Sequence, residues 1–277
     1  MTAISGATRV VGVIGSPVRH SLSPALHNAA FDAGGLDWRM LAFEVAPGDG
    51  AAAVAAMRTL GIAGLAVTMP HKADVAEAVD ALDPAAAALR SVNTVVLHPD
   101  GSTFGASTDG DGFVDSLVAA GYAVGGRRVV VLGAGGAARS IVYSLGTAGA
   151  ADVAVVNRTV GSAEECAALA AVGRVGTVAD VADADLLVNT TPVGMGGSGE
   201  LPVDVAVLRA DLAVCDIVYH PLETPLLAAA RELGARTIDG LGMLVHQAVH
   251  QQQLWTGSSP DPQTLRAAAE SELTPRA

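Results

Sequence analysis

Short β-branched runs alternate with alanine-rich stretches along most of this chain, and that alternation constrains the fold more than any other feature. Strand-length apolar segments separated by helix-length segments cannot build a bundle or a sandwich; they build parallel sheets wrapped by helices, so the class is α/β. The pattern predicts strands near residues 9–14, 39–44 and 64–67, and helices near 24–33, 49–60 and 71–79. Residues 93–98 and 103–105, joined by Pro99-Asp100-Gly101, read as a hairpin because Asp-Gly supplies the turn. A fresh buried strand then begins at Arg127-Arg128-Val129-Val130-Val131-Leu132-Gly133, after Gly125-Gly126. With 277 residues and 51% of them hydrophobic, there is material for one large or two medium domains. A first domain over 1–110, a second over 111–242 and terminal helices over 243–277 follow from these breaks.

Twenty-eight acids against 16 bases give a formal charge of -12. Such a balance disfavours nucleic acid or an anionic membrane as the main partner, so an anionic ligand must be held by local groups. No cationic segment followed by an apolar run opens the sequence, and Gly, Pro or charge interrupts every apolar stretch before it reaches spanning length. The expected location is the cytoplasm, where Cys166 and Cys215 are expected to be reduced packing residues.

Gly133-Ala134-Gly135-Gly136-Ala137-Ala138 follows a strand and opens a helix, the context in which G-x-G-x-x-A acquires meaning. The first glycine permits the tight turn, the second admits a pyrophosphate close to the backbone, and Ala138 lets helix and strand pack closely. The next strand ends at Asn157-Arg158-Thr159. An acid there would meet a free ribose 2′-hydroxyl, whereas a guanidinium pairs with a 2′-phosphate, so NADP is expected over NAD. A solvated helix-start cation is the alternative for Arg158.

Lys72 is the only lysine among the 16 basic residues and stands in Val67-Thr68-Met69-Pro70-His71-Lys72. Arginine keeps its proton, whereas an ammonium can release and recover one, so a chain that writes its other cations as arginine has reason to keep one lysine where a proton moves. A lysine-poor genome explains the count equally well. Ser21 and Ser23 flank a helix entrance at Pro24, where hydroxyls and free helix amides suit a small carboxylate, although capping alone also accounts for Ser23. Asn93-Thr94 and Ser107-Thr108-Asp109 fall near strand ends, as ligand residues or as turns. A carboxylate at Asp109 beside Lys72 would bias its protonation. His246 and His250 have the spacing of a zinc pair, but Gln247 lies where a metalloprotease needs a glutamate and no third ligand is nearby, so no metal is expected.

Taken in order, these segments resemble the shikimate dehydrogenase family from about Val10 to about Trp255. The resemblance rests on Gly15-Ser16-Pro17, His20 to Pro24, His27-Asn28, Val67 to Lys72, Val92-Asn93-Thr94 and Thr108 to Phe113. It continues through Gly133 to Ala138, Asn157-Arg158-Thr159, Asn189 to Met195, and Asp239 to Leu244 with Gln247. It implies an N-terminal α/β substrate domain, a Rossmann-type doubly wound cofactor domain, and C-terminal helices that return to the first domain. The implied reaction is reversible NADP-dependent oxidation of shikimate to 3-dehydroshikimate at C3, with Lys72 and Asp109 as the catalytic pair. Ser21, Ser23, Thr68, Asn93, Asp109, Tyr219 and Gln247 would hold substrate. Gly133, Ala134, Gly135, Gly136, Ala137, Asn157, Arg158, Thr159 and Thr190 would hold the dinucleotide, with Gly240 and Met243 against its nicotinamide.

Two features depart from the family pattern. Ser107 replaces a common asparagine, and Val160, Gly161 and Ser162 offer no second base after Arg158, which leaves room for NAD. Alternatives are an NAD-dependent quinate or quinate/shikimate dehydrogenase and a non-catalytic sensor of a dinucleotide or hydroxy acid. A monomer or homodimer is expected.

Overall fold

The computed structural model describes residues 3–274. In chain order its regular elements are β1 (Arg9–Gly15), α1 (Ser23–Ala33), β2 (Trp38–Glu44), α2 (Gly50–Leu60), β3 (Gly64–Val67), α3 (Lys72–Ala78), β4 (Ala81–Leu82), α4 (Pro84–Leu89), β5 (Thr94–Leu97) and β6 (Thr103–Ala106). There follow α5 (Asp109–Ala119), β7 (Arg128–Leu132), α6 (Gly136–Thr147), β8 (Asp152–Val156), α7 (Val160–Ala167), β9 (Gly173–Val175), β10 (Leu186–Asn189), β11 (Ala213–Asp216), α8 (Pro225–Glu232), β12 (Arg236–Ile238), α9 (Leu241–Thr256) and α10 (Pro262–Leu273). Two compact units emerge: residues 1–108 with 247–277, and residues 109–246. One division falls between Thr108 and Asp109, the other inside α9.

The first unit is a six-stranded mixed sheet in the order β2-β1-β3-β5-β6-β4. β1 pairs in parallel with β2 on one side and β3 on the other, so the crossover after β2 returns past β1 and the direction of winding reverses there. The antiparallel β5–β6 hairpin predicted from Pro99-Asp100-Gly101 extends this sheet. Buried Ile14, Val54, Met57, Leu65, Val67, Val75 and Val92 fill one face. Val11, Val13, Phe31, Trp38, Met40 and Trp255 fill the other. α10 packs along α1, so the last helix belongs to this unit.

The second unit is a six-stranded sheet in the order β12-β11-β10-β7-β8-β9, and every pairing in it is parallel. Read from the β9 edge, that order is 3-2-1-4-5-6 when the strands are numbered from this unit's own first strand, with the switch point between β7 and β10, the Rossmann arrangement. Strands such as Val129-Val130-Val131 are buried on both faces, which explains their uninterrupted apolar reading. Cys166 and Cys215 are buried free thiols in the apolar layer on one face of this sheet.

Candidate active site

In each unit part of the expected functional set lies at the C-terminal ends of the parallel strands that flank its switch point, where open α/β sheets bind ligands, and the rest lies on neighbouring elements. In the first unit those strands are β1 and β3. Ser16 N donates to the Met69 carbonyl at 3.0 Å and Thr68 N to that of Ile14 at 2.9 Å, which joins the two strand ends directly. Gly15 is obligatory at this junction, because a Cβ there would stand 2.5 Å from Thr68 Cγ2.

Lys72 is the first residue of α3, beyond β3 and half-buried. Its carbonyl accepts from Val92 N at 2.9 Å, so the start of α3 is tied to the segment carrying Asn93. His71 before it is fully buried, with Nε2 2.9 Å from the Val45 carbonyl. A carbonyl only accepts, so Nε2 carries the hydrogen.

Ser21 and Ser23 enter the site differently from the expectation. Ser23 is already the first helical residue of α1, and the N-cap position is Leu22, which has no capping side chain. Ser21 Oγ instead accepts from Ser23 N at 3.3 Å, so the upstream serine takes the capping part. Ser21 N donates to the Val18 carbonyl at 2.9 Å, and the turn this closes brings the chain into α1 with Ser23 one residue inside the helix.

Asn93 is buried, and Thr108 occupies much of its side chain. Asn93 Nδ2 donates to Thr108 Oγ1 at 2.9 Å, while Oδ1 accepts from Thr108 N at 2.8 Å and Thr94 Oγ1 at 2.9 Å. Thr108 Oγ1 also lies 3.2 Å from the carbonyl of buried Gln247. Asn93, Thr108 and Gln247 thus form one preorganised cluster at the end of the first unit. Ser107, the departure from the family asparagine, is buried and donates its N–H to Asp83.

A second buried network, absent from the sequence reading, supports this cluster. His27 Nε2 lies 3.2 Å from Gln251 Oε1, and Gln251 Nε2 donates to the Asn93 carbonyl at 3.1 Å. Burial lowers the His27 pKa from 6.5 to about 4, against the weaker pull of the Gln251 hydrogen bond. Its ring also lies 5.1 Å from that of Trp255, whose Nε1 donates to the Val95 carbonyl.

In the second unit the switch-point strands are β7 and β10. Gly133 has φ +105°, the conformation that favours glycine, and its N–H donates to the Val156 carbonyl of β8. A Cβ on it would stand 2.6 Å from Thr190 Oγ1, which itself donates to the Leu132 carbonyl at 2.6 Å. Thr190, expected beside the dinucleotide, therefore sits against the glycine turn.

Gly135 is the N-cap of α6 and, like Gly136, has open space where a side chain would be. Ala134 and Ala137 flank these exposed glycines and are half-buried, and Ala138 after them is buried. No side chain caps α6 and no acid occupies its first turn, so its free amides and the positive end of its dipole are available to an anion. Arg158 and Thr159 are exposed beyond β8, and Asn157 Nδ2 donates to the Thr159 carbonyl, which fixes the turn leading into α7. This set fits a dinucleotide carrying a 2′-phosphate.

Asp109 opens α5 as its first residue, half-buried. Gly110 behind it abuts the Ser140 carbonyl and Ser144 of α6 too closely for any side chain. Tyr219 is half-buried in the loop after β11, and burial pushes its phenol pKa up. Gly240 lies against backbone, where a Cβ would fall 2.3 Å from the Ile217 carbonyl group. Met243 packs against the second unit's core.

One residue of this unit was not singled out from sequence. Asp216, at the end of β11, is fully buried and accepts from Asn189, Val218 and Thr224. Burial raises its pKa despite those three donors. The available signal was an acid ending an otherwise apolar strand, eight residues before the Thr-Pro start of a helix.

Comparison with known proteins agrees with this geometry. The family described as the shikimate dehydrogenase substrate binding domain matches residues 13–95, and the shikimate 5'-dehydrogenase C-terminal domain matches residues 240–270. Shikimate dehydrogenase (NADP(+)) from Geobacter metallireducens is 45% identical over 276 residues, covering 95% of this chain and 96% of that protein. The crystal structure of shikimate 5-dehydrogenase from Thermus thermophilus, in complex with NADP(H) and shikimate, superposes with a TM-score of 0.88 at 34% identity over 95% of this chain and 99% of that one. Quinate dehydrogenase from Corynebacterium glutamicum in complex with NAD gives 0.89 at 32% identity, over 95% of this chain and 99% of that one. With a relative this similar along nearly its whole length, the chain belongs to the shikimate dehydrogenase family.

Proposed function

We propose that this chain is an NADP-dependent shikimate dehydrogenase that interconverts shikimate and 3-dehydroshikimate in the shikimate pathway of aromatic amino-acid biosynthesis, in the cytoplasm, as a monomer or homodimer. The observation that carries the reading is the pairing of two differently equipped switch points in one family member. One presents Lys72 with a preorganised polar cluster; the other presents a side-chain-free glycine turn followed by Arg158.

Ser21, Ser23, Thr68, Asn93, Gln247 and Tyr219 bind the carboxylate and hydroxyls of shikimate. Gly133 to Ala137, Asn157, Arg158, Thr159 and Thr190 hold NADP, with Gly240 and Met243 against the nicotinamide ring. Bound NADP supplies the hydride acceptor for the C3–H bond of the alcohol, or the donor in reverse. Lys72, neutral when it acts, takes the C3 hydroxyl proton as the carbonyl forms, and Asp109 stabilises the resulting ammonium. In reduction Lys72 returns that proton to the alkoxide oxygen.

Turnover of shikimate and quinate with NADP and NAD, read by nicotinamide absorbance, tests the assignment. Shikimate with NADP is expected to give the highest kcat/KM of the four combinations. Highest activity with quinate and NAD would favour the second reading, which Val160, Gly161 and Ser162 support by leaving Arg158 as the one base at the start of α7. Tight ligand binding without turnover would leave a sensor.

A further inference from the structure

Asp216 lies in a buried network that the proposed chemistry does not use, and it ties together two loops at the C-terminal edge of the second sheet. Its partner in register on β10 is Asn189. Asn189 Nδ2 donates to Asp216 Oδ1 at 2.9 Å, and Asn189 Oδ1 accepts from Thr191 N at 3.0 Å and Thr191 Oγ1 at 2.7 Å. The amide therefore holds the start of the loop after β10, whose first residue is Thr190. On the other side Asp216 Oδ1 accepts from Val218 N at 3.1 Å and Oδ2 from Thr224 Oγ1 at 2.7 Å. Those donors bracket residues 218–224, the loop carrying Tyr219. Thr224 Oγ1 in turn accepts from Leu227 N at 3.3 Å and caps α8.

A carboxylate is a costly choice for this place. No cation is among its donors, and a buried acid facing neutral groups forfeits its hydration. What a carboxylate offers, and an amide does not, is two oxygens that both accept, and here three donors from a strand end, a loop and a helix cap use them. The backbone beyond it is equally constrained, since Ile217 N donates to the Asn189 carbonyl at 3.0 Å and the Ile217 carbonyl abuts Gly240.

We propose that Asp216 is a positioning residue for the dehydrogenase reaction: by anchoring both ends of the 218–224 loop it fixes the backbone that carries Tyr219, one of the proposed substrate contacts, and through Asn189 it holds the loop of Thr190. This rests on the function proposed above. Asparagine at 216 can keep Asn189 and Val218 on its one oxygen, but it turns an NH2 toward Thr224 Oγ1, which must then accept a second hydrogen and leaves its own hydroxyl hydrogen without this partner. Asp216→Asn therefore loosens the Tyr219 loop while leaving the Asn189 side in place. Thr224→Val removes the same bond from its other end, and Thr224→Ser restores it.

Steady-state kinetics on the full chain, with thermal melting alongside, provides the test. Asp216→Asn and Thr224→Val are expected to lower kcat about tenfold to a hundredfold and raise the KM for shikimate several-fold, the effect of misplacing a substrate contact. The KM for NADP should stay within about twofold, because the glycine turn and Asn189 are retained. Thr224→Ser should recover most of the loss. Variants that turn over like the wild type, or that lose kcat in proportion to folded protein with both KM values unchanged, would overturn the positioning role and leave the function standing. A folded wild-type chain inactive on shikimate with either nucleotide would overturn both.

Discussion

The two switch points solve the same topological problem with opposite materials. Each begins with a glycine that a threonine of the neighbouring strand end forbids from carrying a Cβ, Gly15 against Thr68 and Gly133 against Thr190. Beyond that glycine they diverge. The first unit continues into Ser21, Ser23, Lys72 and the Asn93–Thr108 cluster, a set of polar side chains in which Asn93 and Thr108 hold each other in place. The second continues into Gly135 and Gly136, where side chains are absent and the amides of α6 are exposed. A small polyol carboxylate demands many distinct, directed hydrogen bonds, whereas a pyrophosphate demands close approach and positive potential, which backbone supplies better than side chains do. Under the function proposed above, most of the substrate contacts would fall to the first region and the phosphates of the cofactor to the second.

The largest expected effect tests the side-chain half of that contrast. Lys72→Arg preserves charge and length but removes an exchangeable proton, so kcat should fall by about 10²–10⁴ while shikimate binding and thermal stability stay close to wild type. Rapid-quench or steady-state turnover, with shikimate affinity measured separately, decides it. Turnover within a few-fold of wild type would remove Lys72 from the chemistry and blur the distinction between the two regions.

Local features were the ones legible in sequence. The β5–β6 hairpin was readable because Asp100-Gly101 encodes its own turn, and the glycine turn at 133 because strand, glycine and helix start are contiguous. Asn93, Thr108 and Gln247 were legible as residue types near strand ends and in a helix, but their joining was not, since Thr108 and the Gln247 carbonyl are 139 positions apart. His27 and Gln251 are separated by 224 positions and gave no signal beyond two polar residues on apolar helices. Of the two readings of Ser23, ligand contact and helix cap, the second does not hold, because capping depends on backbone angles one residue upstream, which composition does not fix. Asp216 went unnoticed because an acid at a strand end looks solvated until the elements around it close.

Holding side chains with buried side chains has a price in pH tolerance, and the His27–Gln251 support of Asn93 makes it measurable. His27 titrates near 6.5 when unfolded and at about 4 in the folded chain. Its folded-state pKa is depressed, so its contribution is complete above pH 6.5 and is lost as pH falls toward 4, about 3 kcal/mol in all. His27→Gln cannot protonate, so the drop in unfolding free energy between pH 7.5 and 4.5 should shrink by about that amount relative to wild type. Denaturant melts at the two pH values measure it, and the difference between them cancels the lost packing against Trp255. Asp216 in the second unit has the opposite sign: its raised pKa means a contribution that is lost as pH rises through the folded value. An unchanged pH dependence in the His27 variant would show that the first unit's polar support is not dry.

The smallest effect probes the backbone half. Arg158 is exposed, and if the α6 amides carry the pyrophosphate, then its guanidinium adds only the 2′-phosphate contact. Arg158→Leu should raise the KM for NADP about tenfold, the loss of one charge-assisted pairing in a solvated place, and leave kcat near wild type. Use of NAD should be unchanged, because it has no phosphate to lose. The ratio of kcat/KM for the two nucleotides then falls about tenfold through NADP alone. Equal losses with NADP and NAD would instead mean that Arg158 shapes the turn into α7 together with Asn157 and Thr159, and that this region, too, depends on side chains holding side chains.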